Sequence, residues 1–125
     1  MKSKIPKGVP ITNFPLDPSH KLAQAMDRID WGVLESNELF KKGFKPLQPI
    51  RRVFGLIVLE SVRGLKGKQL LVQWLETPVL QYFTGETWFH WELPITKEEI
   101  QLCKAQLSDR GKGIVQSMLD EVSQI

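Results

Sequence analysis

Cysteine is nearly absent from this sequence, and so are long apolar runs. The single thiol, Cys103, has no disulfide partner within one chain, which fits a reducing compartment and excludes a cysteine-clustered metal site. The longest apolar run, Val53 to Leu59, ends at Glu60 and falls far short of the ~18 residues that span a bilayer. Prolines and lysines occupy the N-terminus, where a signal peptide needs an apolar stretch. We therefore expect a soluble, cytoplasmic protein.

Patterns for catalysis or metal binding are also missing. His20 and His90 are the only two histidines, and neither has the spacing of a zinc ligand, so structural or surface roles are expected for both. Gly-Lys-Gly at residues 111–113 lacks the preceding strand and the spacing of a phosphate-binding loop. Cys103 has no histidine near it in sequence, and a buried packing thiol is expected. The sequence thus predicts no catalytic residue, no metal ligand and no cofactor.

What the chain does have is an uneven distribution of charge. Its 125 residues carry a net charge of +3. Residues 1–40 sum to zero, whereas residues 41–70 hold eight basic groups against one acid and reach +7. Residues 71–125 hold four basic groups against eight acids and reach −4. The basic middle segment should attract a polyanion far better than the total charge suggests.

The apolar periodicity predicts an all-α fold. We expect a single compact domain of about five to six helices over residues 17–125, preceded by an extended, mobile arm over residues 1–16. Helices are expected at residues 18–29, 31–40, 49–63, 68–76 and 96–107, with a short restart after Pro78 that ends near residue 85 and a last helix after a loop at residues 108–113.

Capping signals mark several of these boundaries. Asp17 and Pro18 suit the start of the first helix, and Asp30 can cap the second. Gly64 is placed as the left-handed residue that ends the central helix. Thr96 and Glu99 have the spacing of a capping box.

Two of the predicted helices, residues 49–63 and 68–76, fit a helix-turn-helix that would bind DNA. The second helix of that motif lies in the major groove. Its outward side chains, which can read base edges, would be Lys68, Gln69, Gln73 and Glu76. The expected phosphate contacts are Lys41, Lys42, Lys45, Arg51, Arg52, Arg63 and Lys66. Two packed antiparallel helices with solvated lysines outside explain the same pattern equally well.

A longer motif connects this unit to a known family. The chain reads Glu76-Thr77-Pro78-Val79-Leu80-Gln81-Tyr82-Phe83-Thr84-Gly85. This segment resembles the Glu-Asn-Pro-x-x-Gln-Tyr-Phe-x-Gly signature in the N-terminal domain of bacterial insertion-sequence DDE transposases, in the insertion-sequence-five-like group. The likeness covers about residues 18–122 and includes Ile29-Asp30-Trp31, Pro49-Ile50-Arg51 and Glu92-Leu93-Pro94.

The resemblance implies an all-helical domain that helps a transposase bind the terminal inverted repeats of its element. In full-length relatives an RNase H-like domain with a two-metal carboxylate site follows, and this sequence contains no counterpart of it. We therefore expect a non-catalytic, DNA-binding domain from a truncated, separate-frame or reused copy. The sequence departs from the family at Thr77, at Lys66-Gly67-Lys68 in place of a Ser-Asp cap, and at Cys103-Lys104-Ala105-Gln106 in place of a basic cluster.

The alternative hypothesis is a module for protein interaction or oligomerisation. The acidic C-terminal half, which includes the amphipathic residues 114–122, and the Trp88–Trp91 segment would then bind a catalytic transposase or a second copy of the chain, without DNA. The conformation of residues 86–93 stays open between a tight loop and a short strand. Trp88, Phe89 and Trp91 could stack on bases, although packing within the domain is favoured.

Overall fold

The computed structural model describes residues 8–17 and 20–124. Within these residues the chain forms six α-helices and no strand, so the predicted all-α class is confirmed. No helix in this part of the chain is long and apolar enough to cross a membrane. The helices are α1 (Lys21–Arg28), α2 (Ile50–Arg63), α3 (Lys68–Glu76), α4 (Pro78–Phe83), α5 (Lys97–Ala105) and α6 (Asp109–Ser123). Two short 3₁₀ segments cover Ile11–Asn13 and Trp31–Glu35.

The central helix of the domain is α2. All residues from Val53 to Glu60 are buried, because α5, α6 and α3 pack around this helix. Gly64 ends it in the left-handed conformation with φ 66°, as the sequence predicts. This sharp turn brings α3 back to begin at Lys68, only four residues later. The first helix of the α2–α3 pair is thus buried in the core.

Several predicted boundaries at the N-terminal half are wrong. The first helix begins at Lys21 rather than near residue 18, since His20 accepts the backbone N–H of Leu22 on Nδ1 at 3.1 Å. Asp17 is therefore not the cap, and Pro18 lies outside the described residues. Asp30 does cap the next segment, but that segment is a 3₁₀ helix that ends at residue 35.

The predicted loop at residues 108–113 is helical instead. Ser108 caps α6 by accepting the backbone N–H of Gly111 on its hydroxyl at 3.1 Å. A side chain at Gly111 would collide with the carbonyl oxygen of Leu39. This glycine therefore lets the first turn of α6 pack closely on the backbone at Leu39, and it does not form a turn. The apolar face of α6, with Met118 and Val122 buried, packs on α1 and α2. The apolar side chains of residues 114–122 are therefore used in packing within the domain.

Within the predicted mobile arm, residues 9–14 lie against the loop after α4, and residues 1–7 lie outside the described residues. Ile11 is buried, and its backbone N–H donates to the carbonyl of Thr87 at 3.0 Å. The N–H of Phe89 donates in turn to the carbonyl of Val9 at 2.8 Å. Residues 86–93 form no strand beyond one isolated bridge to this segment. They are accordingly a loop.

Candidate nucleic-acid interface

The two arginines in the first turn of α2 lie largely inside the domain. Arg52 makes a two-pronged ion pair with Glu86: Nε donates to Oε2 at 2.9 Å and Nη2 to Oε1 at 2.6 Å. The side chains are 12% and 6% exposed. Two charges buried in this way hold one another, and removal of either leaves the other uncompensated. This placement is at odds with the expected phosphate contact by Arg52.

The ion pair of Arg52 and Glu86 is the centre of a polar network at the start of α2. The Nη1 group of Arg52 also donates to Gln48 Oε1 at 2.8 Å. Glu86 accepts the hydroxyl of Thr84 at 3.3 Å, and His90 Nε2 lies 2.8 Å from Glu86 Oε1. These partners come from the segment before α2, the end of α4 and the loop that follows. The network therefore fixes three parts of the chain to one another.

Arg51 is also used within the fold. Its guanidinium carbon lies 3.9 Å from the ring centroid of Trp31, a cation–π contact. Its Nη2 group donates to the carbonyl of Phe83 at 3.4 Å. Desolvation by burial lowers the pKa of Arg51, against the opposing effects of Tyr82 and Glu86. The expected phosphate contact of Arg51 does not fit this placement either.

The segment that resembles the transposase signature builds this internal network. Gln81 is fully buried and pairs with the backbone of His90 twice. Its Nε2 donates to the His90 carbonyl at 3.0 Å, and its Oε1 accepts the His90 N–H at 2.7 Å. Gly85 has φ 82° and lies against Arg51, where a side chain would collide. In this chain the motif therefore positions the loop after α4 against α2.

The basic middle segment keeps six exposed cations once the two arginines are set aside. Its one acid, Glu60, is 4% exposed and accepts from Gln101 and Lys104 of α5, at 3.1 and 3.4 Å. The surface that residues 41–70 present therefore carries positive charge with no exposed acid of its own. The exposed cations are Lys41, Lys42, Lys45, Arg63, Lys66 and Lys68.

The six cations form two groups. One group, Lys41, Lys42 and Lys45, lines a groove that also includes Ile50 at the start of α2. The other group, Arg63, Lys66 and Lys68, lies at or just after the end of the same helix. An α-helix of this length spans about 20 Å. The two groups are thus near opposite ends of α2 and can reach different phosphates.

The outward face of α3 is exposed to solvent, as the sequence predicts. Its inward side chains are buried against α2 and α4, and the indole N–H of Trp74 donates to Thr84 Oγ1 at 2.9 Å. The exposed side chains are polar apart from Val72, so this face does not serve the core. They include Lys68, Gln69, Gln73 and Glu76.

Most of the other residues considered in the sequence analysis pack or hydrogen-bond within the domain. Cys103 is buried, as predicted, and desolvation raises the pKa of its thiol. Phe89 and Trp91 pack edge to face, with ring centroids 4.4 Å apart, whereas Trp88 is exposed. His90 belongs to the network around Glu86. None of these side chains joins the exposed cations.

Comparisons of the chain with family models, curated proteins and solved structures gave no match. Among the described residues, no group of three histidine, cysteine or acidic side chains is placed to hold a metal ion.

Proposed function

We propose that this chain binds double-stranded DNA without catalysis, in the manner of the terminal-repeat-binding N-terminal domain of an insertion-sequence transposase. The observation that carries the proposal is the set of six exposed cations near the two ends of α2, together with the exposed polar face of α3. The likeness of residues 76–85 to the transposase signature supports it. In a bacterial cell the protein would act in the cytoplasm.

In this proposal α3 enters the major groove and the cations hold the backbone. Lys68 can donate to guanine, and Gln69 and Gln73 can pair with adenine through two hydrogen bonds each. The lysines before α2 and the cations after it contact phosphates on either side, which supplies most of the affinity. The network around Glu86 keeps α2 rigid, so little order has to be gained on binding.

Selection of bound sequences from a random duplex pool tests the proposal most broadly. We expect one enriched motif, together with salt-dependent binding of unrelated duplexes at lower affinity. The double variant Gln69→Ala/Gln73→Ala should lose the sequence preference but keep the non-specific binding, since its phosphate contacts remain. Gln116→Ala on α6 is the matched control and should bind as the wild type does. Absence of any duplex binding at low salt would refute the proposal.

A role in protein interaction is the second candidate, because two large apolar side chains are exposed near one another in sequence. Trp88 is 52% exposed and Leu93 is 43% exposed. A catalytic transposase or a second copy of the chain would be the partner. Light scattering tests this role: a dimer that resists high salt and dissociates in Trp88→Ala favours it, whereas a monomer under all conditions excludes self-association.

A further inference from the structure

Three lysines line one cleft at the C-terminal end of α2, two from the link to α3 and one from the distant helix α5. Lys66 lies in the turn, Lys68 is the first residue of α3, and Lys97 is the first residue of α5. All three are exposed. Lys97 belongs to the acidic C-terminal segment, so charge counting along the sequence gives no reason to place it with the other two. The fold alone brings it there.

The contact between Lys97 and Gly67 sets the shape of the cleft. A methyl group built on Gly67 would lie 3.5 Å from Cδ and 3.7 Å from Cβ of Lys97. The aliphatic stem of Lys97 therefore passes beside Gly67, and this glycine separates Lys66 from Lys68 in sequence. Gly67 also has φ 55°, a conformation that few other residues adopt. The stem packs on backbone while the ammonium group stays in solvent.

Lys97 is held firmly against the helix-turn-helix unit. Thr96 and Glu99 form a capping box at the start of α5, which fixes the first turn of the helix. Glu99 Oε2 accepts from Gln48 Nε2 at 3.0 Å, just before α2. Further along, Gln101 Nε2 donates to Glu60 Oε2 at 3.1 Å, near the end of α2. The backbone of Lys97 is thus positioned by contacts at both ends of α2.

The charge of the cleft suits a phosphodiester. Three ammonium groups and the carboxylate of Glu98, whose Oε2 lies 3.9 Å from Lys97 Nζ, leave a net positive charge. Lysine ammonium groups are compact cations that bind phosphate oxygens as point charges. This net positive charge attracts phosphate oxygens. All three ammonium groups are exposed beside the start of α3, where the backbone of a bound duplex can reach them.

We propose that Lys66 and Lys97 together bind the DNA backbone beside α3, with Lys97 as a phosphate contact supplied by α5, while Lys68 at the edge of the same cleft stays directed to the bases. This inference rests on the proposed binding of duplex DNA and adds one residue and one element to it. The later helix, which lacks the basic cluster expected from the family pattern, then still contributes a contact through its first residue.

Affinity for a labelled, random-sequence duplex tests the contribution of Lys97. Lys97→Ala should weaken binding about 3–10-fold and reduce the slope of log affinity against log salt by up to about 0.9. Lys97→Arg should restore both values. Lys21→Ala removes one exposed lysine from α1 as the control and should change neither. If Lys97→Ala matches Lys21→Ala while Lys41→Ala/Lys42→Ala still weakens binding, the inference fails and the proposed function stands. If the wild type binds no duplex, both fail.

A pair of double variants tests whether the lysines share one cleft. Residues that contact the same group couple, whereas distant ones act independently. Lys66→Ala/Lys97→Ala should therefore weaken binding by less than the product of the single effects. Lys42→Ala/Lys97→Ala, with lysines near opposite ends of α2, should give the full product. Multiplicative effects in both pairs would reject a shared cleft.

Discussion

The arginines at the start of α2 and the lysines that flank the helix come from one basic segment but occupy opposite environments. Arg52 is 12% exposed and pairs with Glu86, and Arg51 lies on the ring of Trp31. The lysines of residues 41–70 are all exposed. Arginine suits buried pairs because its planar fork matches a carboxylate, whereas lysine is strongly hydrated and favours the surface. The comparison separates cations that hold the fold from cations that can bind a partner.

The largest effect on stability is expected from breaking the buried ion pair between Arg52 and Glu86. Glu86→Ala should lower the free energy of unfolding by about 3–5 kcal/mol, because it leaves Arg52 buried without its counter-charge. Urea unfolding followed by circular dichroism measures this loss. Glu76→Ala, which removes an exposed acid from α3, is the control and should change stability by about 0.5 kcal/mol or less. Equal stabilities for the two variants would mean that the network contributes nothing.

An effect of intermediate size is expected from two arginine variants, one at each end of α2, which should change stability and DNA affinity in opposite ways. Arg51→Ala should cost about 1–2 kcal/mol of stability through the lost contact with Trp31 and the lost packing of its stem. It should leave DNA affinity unchanged at temperatures where the protein is folded. Arg63 is exposed at the end of the same helix, so Arg63→Ala should weaken DNA binding and leave stability unchanged. Thermal unfolding and duplex titration of both proteins measure the two effects, and identical behaviour would remove the distinction.

The smallest effect concerns the edge of the network, at Glu99. The hydrogen bond from Gln48, followed by that from the Thr96 backbone, lowers the pKa of this carboxyl below 4.5. The ionised form therefore stabilises the folded state above the unfolded pKa, and that contribution is lost as the pH falls through the folded pKa. Wild type should exceed Glu99→Gln in stability at neutral pH, and the difference should shrink at acid pH as the pH falls through the folded pKa.

Thermal unfolding at the two pH values measures the effect of Glu99. Glu98→Gln is the matched control, since this neighbouring acid is exposed and accepts no hydrogen bond from the segment before α2. A stability difference between wild type and Glu99→Gln that stays constant with pH would contradict the assigned role of the carboxylate.

Local signals in the sequence predict most of the fold. The apolar run of α2, the glycine that ends it and the Thr96–Glu99 capping box all depend on residues a few positions apart, and the structure confirms each. The loop predicted at residues 108–113 is wrong for the opposite reason. Gly111 is required by the carbonyl of Leu39, a contact across more than seventy positions of sequence.

The site is predicted less completely, because charge alone does not distinguish an inward arginine from an outward one. Arg51 and Arg52 directly precede the buried stretch of α2, which is the signal that could have placed them inside, since a charge in an apolar setting needs a partner. Glu86, shortly before the aromatic residues 88–91, is the partner of Arg52. Lys97 is missed altogether because only the packing of α5 on α2 brings it to the cleft.

The salt dependence of duplex binding tests the central claim most directly. If about five phosphates are neutralised, log affinity should fall with log salt at a slope near −4 to −5. Lys41→Ala/Lys42→Ala should make that slope shallower by about 1.8 without changing stability, whereas Lys21→Ala/Arg28→Ala, which removes two exposed cations from α1, should leave it unchanged. A slope near zero, or equal losses in the two double variants, would contradict DNA binding by the exposed cations around α2.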